Sequence, residues 1–309
     1  MTIDSMLGST TNLLSPDPLV VTRHIMLGCA VLCSMVLVDI CDSTAKASES
    51  SPEAVVPTQT GLIEMLQDSG IPRLYADVAA TVIAETHVAR LSCEESTAYS
   101  DDVQSFISDT LNVDQMMDKS VVYLSQHIEP SVLNEMANWM TSAAGLRIQE
   151  AEAQAATWSD DEFERREQAL AIDMRWNPAR QELITRVLDT AGTVSFVTAL
   201  HSESSALVLY ASDCVATDVS RASIESRVRK ARSDEGFYSV FLRNGMVMTA
   251  AMIFCDISDS HLNAYVKHSE SSAGRAWNKA LLASVRQVLQ ERHGPIQRFL
   301  AAKRESVSR

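Results

Sequence analysis

The chain has 309 residues, 46% hydrophobic and only 6% aromatic, with a formal charge of −14. Its length holds two domains of ordinary size, and scarce glycine (10) and proline (8) favour helices over a turn-rich β architecture. An acidic balance, with a pI near 4.9, argues against a nucleic-acid-binding surface, which needs a clustered basic face.

Near the N-terminus, Arg23 precedes an apolar run from Ile25 to Val38, and small and polar residues follow as far as Ala45-Lys46-Ala47. A charged flank, an apolar core and an A-x-A site form the order of a secretory signal peptide. Residues 1–47 are therefore expected to be removed near Ala47, leaving a periplasmic or secreted protein that meets a membrane only in transit. The rival reading is a retained anchor, but a run this short spans about 21 Å as helix against about 30 Å of hydrocarbon. Cleavage leaves Cys93, Cys214 and Cys255. An odd number in an oxidising compartment allows one disulfide, with Cys214 and Cys255 the expected pair. Three thiols packed as small hydrophobes is the alternative.

Residues 48–60 are polar, contain two prolines and read as a flexible lead. Leu62, Met65 and Leu66 recur at helical spacing and end at Gly70, a suitable residue just past a helix C-terminus. Further helices are expected over 74–90, 101–111 and 114–126, and again over 193–212, 219–232 and 236–254. Asn112 with Gln115 and Ser159 with Glu162 have capping-box spacing, and Pro130 suits a first helical position. The charged stretch 158–173 reads as a solvated connecting helix with i,i+3 and i,i+4 ion pairs. Trp176-Asn177-Pro178 breaks the helical pattern and marks the boundary.

The chain repeats itself. Residues 128–153 align without a gap on residues 257–282, with eight identities in 26 pairs, where chance gives roughly one or two. Ile184 to Gly192 also resembles Leu62 to Gly70, at an offset of 122 rather than 129 residues. The expected architecture is all-α: two tandem, related helical bundles over 61–157 and 178–303, joined by the charged connector 158–177 and followed by a tail at 304–309. Ser142, Gly145, Ser271 and Gly274 recur within the repeat. A mid-helix glycine costs about 1 kcal/mol relative to alanine, so these positions read as close helix contacts.

The paired segments Leu133–Gly145 and Leu262–Gly274 each run through an amphipathic helix into Ser-x-Ala-Gly and a second helix. In this they resemble the bacterial domain of unknown function numbered 2059, and residues 177–192 are similar to the opening of its longer, two-copy members. The likeness covers most of residues 61–300. Where that family tends to have proline after the serine, this chain has Ala143 and Ser272, and its aromatic is kept as Trp139 but replaced by His268 in the second copy. The resemblance implies an all-α fold, export from a Gram-negative cytoplasm and no established activity.

Catalytic patterns are missing. There is no His-Glu-x-x-His, no Gly-x-Ser-x-Gly and no glycine-rich phosphate loop. His261 and His268 are seven residues apart, too far for one ion, and read as an exposed pair. His-Ser-Glu-Ser-Ser occurs at 201–205 and at 268–272, out of register with the duplication, and reads as coincidence. The acidic pairs Asp101/Asp102 and Asp160/Asp161 suit helix N-termini, and Lys303-Arg304 suits a helix C-terminus without a partner. No metal or cofactor is expected. Trp139, Tyr265 and Trp277 are the candidate binding residues: exposed in a groove between the halves they would dock an apolar or peptide ligand, and otherwise they pack in the core. The expected function is a non-enzymatic envelope module that binds a protein, peptide or envelope component. The alternative is an envelope hydrolase with a carboxylate or histidine site that no motif marks.

Overall fold

A computed structural model describes residues 59–91, 100–172, 178–212, 221–233 and 235–307, and every regular element among them is a helix. In chain order these are α1 (Gln59–Asp68), α2 (Ile71–Leu91), α3 (Ser100–Thr110), α4 (Val113–His127), α5 (Pro130–Met140) and α6 (Ala143–Ala155). The connector α7 (Asp160–Ile172) follows. The chain continues with α8 (Pro178–Thr190), α9 (Thr193–Ser212), α10 (Arg221–Ser233), α11 (Glu235–Ile253), α12 (Asp259–Ser269) and α13 (Ser272–Val307). The all-α expectation holds. The signal segment and Cys93 and Cys214 lie outside the described residues, while Cys255 is exposed in the turn after α11.

Local chemistry sets the helix ends. Gly70 and Gly192 have φ of 71° and 70°, a left-handed conformation that glycine adopts without steric cost. Each closes a helix in the same way: Ser69 and Ala191 donate N–H to Met65 and Val187, and the next helix begins one residue later. Asn112 caps α4 by accepting from the Gln115 N–H at 3.0 Å. Ser159 does the same for Glu162 at 3.2 Å, but the Glu162 carboxylate turns along the helix to Arg165 and Arg166 instead of completing a box. Pro130 opens α5, as its fixed φ and missing N–H favour.

The Ser-x-Ala-Gly segments behave alike. Ser142 and Ser271 each accept the N–H of the glycine three residues on at 3.0 Å, starting α6 and α13. A serine cap thus starts both helices. Ser142→Ala and Ser271→Ala are each expected to cost about 1 kcal/mol. Thermal unfolding of the two variants checks this, and a loss confined to one of them would contradict a shared cap.

The apolar faces of the helices meet in one continuous cluster running from Leu62 to Leu300. At its centre lies α9, packed against α2, α8, α10, α11 and α13. Buried on nearly every side, it is largely apolar outside the polar run His201 to Ser205. Among the described residues no single helix is long and apolar enough to cross a membrane. Among the other contacts, α1 packs on α2 and α4, and α8 packs on α9 and α11. The hairpins α5–α6 and α12–α13 interlock, with α5 on α13 and α12 on α6. Lys303 bonds the Asp102 carboxylate at 2.6 Å, so the end of α13 is tied to the start of α3. The partnerless basic end expected from sequence is therefore corrected at Lys303, and the ammonium holds Asp102 below the usual carboxylate range.

Candidate functional site

Two places stand out among the described residues, each with an imidazole packed on an aromatic ring. The first is the seam where the interlocked hairpins meet. Trp139 on α5 stacks on His268 of α12 at 4.5 Å between ring centroids and 5° between planes, and on Tyr265 at 5.7 Å and 18°. These offset stacks add to the burial of large flat surfaces. Trp139 and His268 occupy the same place in the two aligned segments, 129 residues apart. The backbone around them also matches. A methyl group added to Gly145 would land on the carbonyl oxygen of Trp139, and one added to Gly274 would land on that of His268. Glycine is required here because one helix backbone turns tightly into the next.

Tyr265 and Trp277 are each 5% exposed and belong to the core, while Trp139 is half-buried and packs against it. Tyr265 and Trp277 are thus core side chains rather than groove-lining ones. His268 is likewise no exposed partner of His261. Burial pushes its imidazole down to about 4, so it is a neutral ring at pH 7.

The second place was missed in the sequence. Glu203 lies mid-way along α9 at 2% exposure, where an isolated carboxylate would be prohibitively costly. Its two oxygens are both taken: Oε2 accepts from Arg232 of α10 at 2.8 Å and Oε1 from Gln290 of α13 at 2.7 Å. His293 Nε2 stands 3.7 Å from Oε2, too far to hydrogen-bond, with its ring tilted against Tyr210 at 5.0 Å. Burial, helped by the Arg232 guanidinium, pushes His293 down to about 4. Ser202 and Ser204, also buried, flank Glu203 on the same helix. One signal was visible: a polar run, His201 to Ser205, inside an otherwise apolar helix. Its copy at 268–272 ends α12 and caps α13, so the two stretches are structurally unrelated.

A carboxylate, a neutral imidazole and a guanidinium are the parts of an acid–base site. Here each carboxylate oxygen already accepts from a protein side chain. The cluster ties α9, α10 and α13 together. Among the described residues, no group of three or more His, Cys, Asp or Glu side chains is placed to hold a metal ion.

The low imidazoles of His268 and His293 make stability acid-sensitive, and burial holds His201 below its ordinary value as well. An unfolded histidine titrates near 6.5, so between 6.5 and about 4 the unfolded chain binds protons that the folded one does not. Stability is full above pH 6.5 and falls as the pH drops through that window. The loss is on the order of 2 kcal/mol for His293 and smaller for half-buried His268, where solvent screens the charge. His268→Phe keeps a ring against Trp139 and removes one titrating group. Urea midpoints at about pH 7 and about pH 5 should therefore lie closer together in this variant than in the wild type, and an unchanged gap would contradict the assignment.

Among the described residues the fold is all-helical. No protein-family model, no curated protein and no solved structure matches the chain.

Proposed function

We propose that the chain is an exported, non-enzymatic helical module of the cell envelope, built from two related six-helix units and acting by binding a protein, peptide or envelope component. One observation carries this reading: equivalent positions of the two aligned segments, Trp139 and His268, stack on each other across interlocked hairpins that turn at equivalent glycines. Such mutual contact between like positions is the pattern of a symmetric pair, here fused in one chain. The order α1–α6 and α8–α13, with α7 as connector, supports the same division. Export is supported by the charged flank, apolar run and Ala-Lys-Ala order of residues 23–47. The likeness of both Ser-x-Ala-Gly segments to family 2059 fits a periplasmic setting.

The test is crosslinking and affinity capture of the processed protein from its native envelope. Enrichment of one specific protein or envelope component is expected, and its absence would overturn the binding role. A hydrolase is the second reading, favoured by Glu203 beside His293. It requires that Glu203→Gln abolish release of fragments from envelope polymers, whereas the binding reading expects no release by either form.

A further inference from the structure

We propose that the outer face of α10 is a docking surface for anionic phospholipid, which names the envelope component of the binding role proposed above and rests on that reading. The chain's charge is unevenly spread. Residues 1–177 carry 27 acids and 9 bases, whereas residues 178–309 carry 13 acids and 17 bases. The excess is densest in α10, with five bases (Arg221, Arg227, Arg229, Lys230 and Arg232) and one acid, Glu225.

The helix is poorly explained by its own packing. It lies chiefly against α9, where Val228 is buried beside Ala206. Arg232 reaches inward to the buried Glu203. Those two contacts fix which side faces out. The exposed side then presents Arg227, Arg229 and Lys230 with Ser226 and Ser233 and no acid between them. Several exposed cations elsewhere sit against carboxylates, as Arg147 does on Glu150, Arg186 on Glu270 and Arg243 on Asp189. Arg227, Arg229 and Lys230 make no ion pair among the described residues. Three like charges within four residues repel one another, and a facing anionic layer relieves that repulsion.

A lipid surface fits better than a single acidic side chain. The three cations fan over a wide arc of a peripheral helix, and an extended anionic plane can meet all of them together. Val240, the most exposed large apolar side chain described at 70%, stands early in the next helix, α11. Basic and apolar side chains exposed on successive helices are the composition that suits a headgroup boundary. The acidic remainder of the protein does not prevent approach, because at physiological salt the Debye length is about 8 Å and only the nearest face is felt. The whole-chain charge of −14 conceals this face.

The experiment is co-sedimentation of the full processed chain with vesicles of phosphatidylglycerol in phosphatidylcholine, against pure phosphatidylcholine. Each basic residue near an anionic surface contributes about fivefold in partitioning, so three contribute about a hundredfold. Binding to the anionic vesicles alone is expected, with release at about 1 M salt, where the Debye length falls to about 3 Å. The triple variant Arg227→Glu, Arg229→Glu, Lys230→Glu, checked for unchanged helicity, should lose that hundredfold. Lys267→Glu with Lys279→Glu, exposed cations on α12 and α13, should bind within about twofold of wild type. Equal binding to neutral vesicles, full retention by the triple variant, or tighter binding to polyglutamate or single-stranded nucleic acid than to the vesicles would each overturn the lipid assignment. If envelope capture still recovers a specific partner, the binding module stands and only its lipid face falls.

Discussion

Gly145→Ala and Gly274→Ala are each expected to destabilise the protein by about 3 kcal/mol or more, at the upper end of overpacking effects because the obstruction is backbone and cannot swing aside. In a chain of this size that corresponds to a fall in Tm of about 6–12 °C. At both positions the new methyl group meets the carbonyl oxygen of the residue six before it, Trp139 or His268. Both positions also lie where a serine hydroxyl holds the glycine N–H, so any shift that relieves the clash weakens the cap. Gly192→Ala is the contrast. No atom lies within 4 Å of its added methyl group, and only the left-handed φ of 70° is penalised, at about 1–2 kcal/mol. Thermal unfolding orders the three. A Gly145 or Gly274 variant no worse than Gly192→Ala would contradict the close backbone approach.

Arg232→Met is expected to cost about 3 kcal/mol, because it strands a carboxylate that is 2% exposed. The value falls at the low end for breaking such a pair, since the Arg232 side chain is itself 38% exposed and water can enter after it. Glu203→Gln is expected to cost less, about 1–2 kcal/mol, since the freed guanidinium can turn to solvent and the amide can still meet Gln290. Combining Arg232→Met with Glu203→Leu removes both charges and should recover most of the loss. Urea unfolding of the single and double variants measures the coupling directly. Additive costs would show that the pair does not hold α10 in place.

Much of the fold was readable because it rests on local chemistry. The expected helices 101–111 and 114–126 are α3 and α4 to within one residue at each end, and 193–212 is α9. Gly70, Gly192, Pro130 and Asn112 act on neighbours a few residues away, so their meaning survives without tertiary knowledge. The repeat placed Ser142 with Ser271 and Gly145 with Gly274 for the same reason. What could not be read depends on distant partners. Glu203 is satisfied by residues 29 and 87 positions away, and nothing in the sequence of α9 names them. The alignment gave Trp139 and His268 equivalent places, but not that equivalent places touch. The basic face of α10 was hidden by a total charge of the opposite sign.

The contact between Trp139 and His268 is tested most directly by NMR of the His268 ring protons in the folded full chain. With the indole stacked at 4.5 Å, those protons should be strongly shifted upfield, should titrate well below 6.5, and should return to ordinary positions in Trp139→Ala. Ordinary shifts in the wild type with a titration near 6.5 would show that the two hairpins do not meet there.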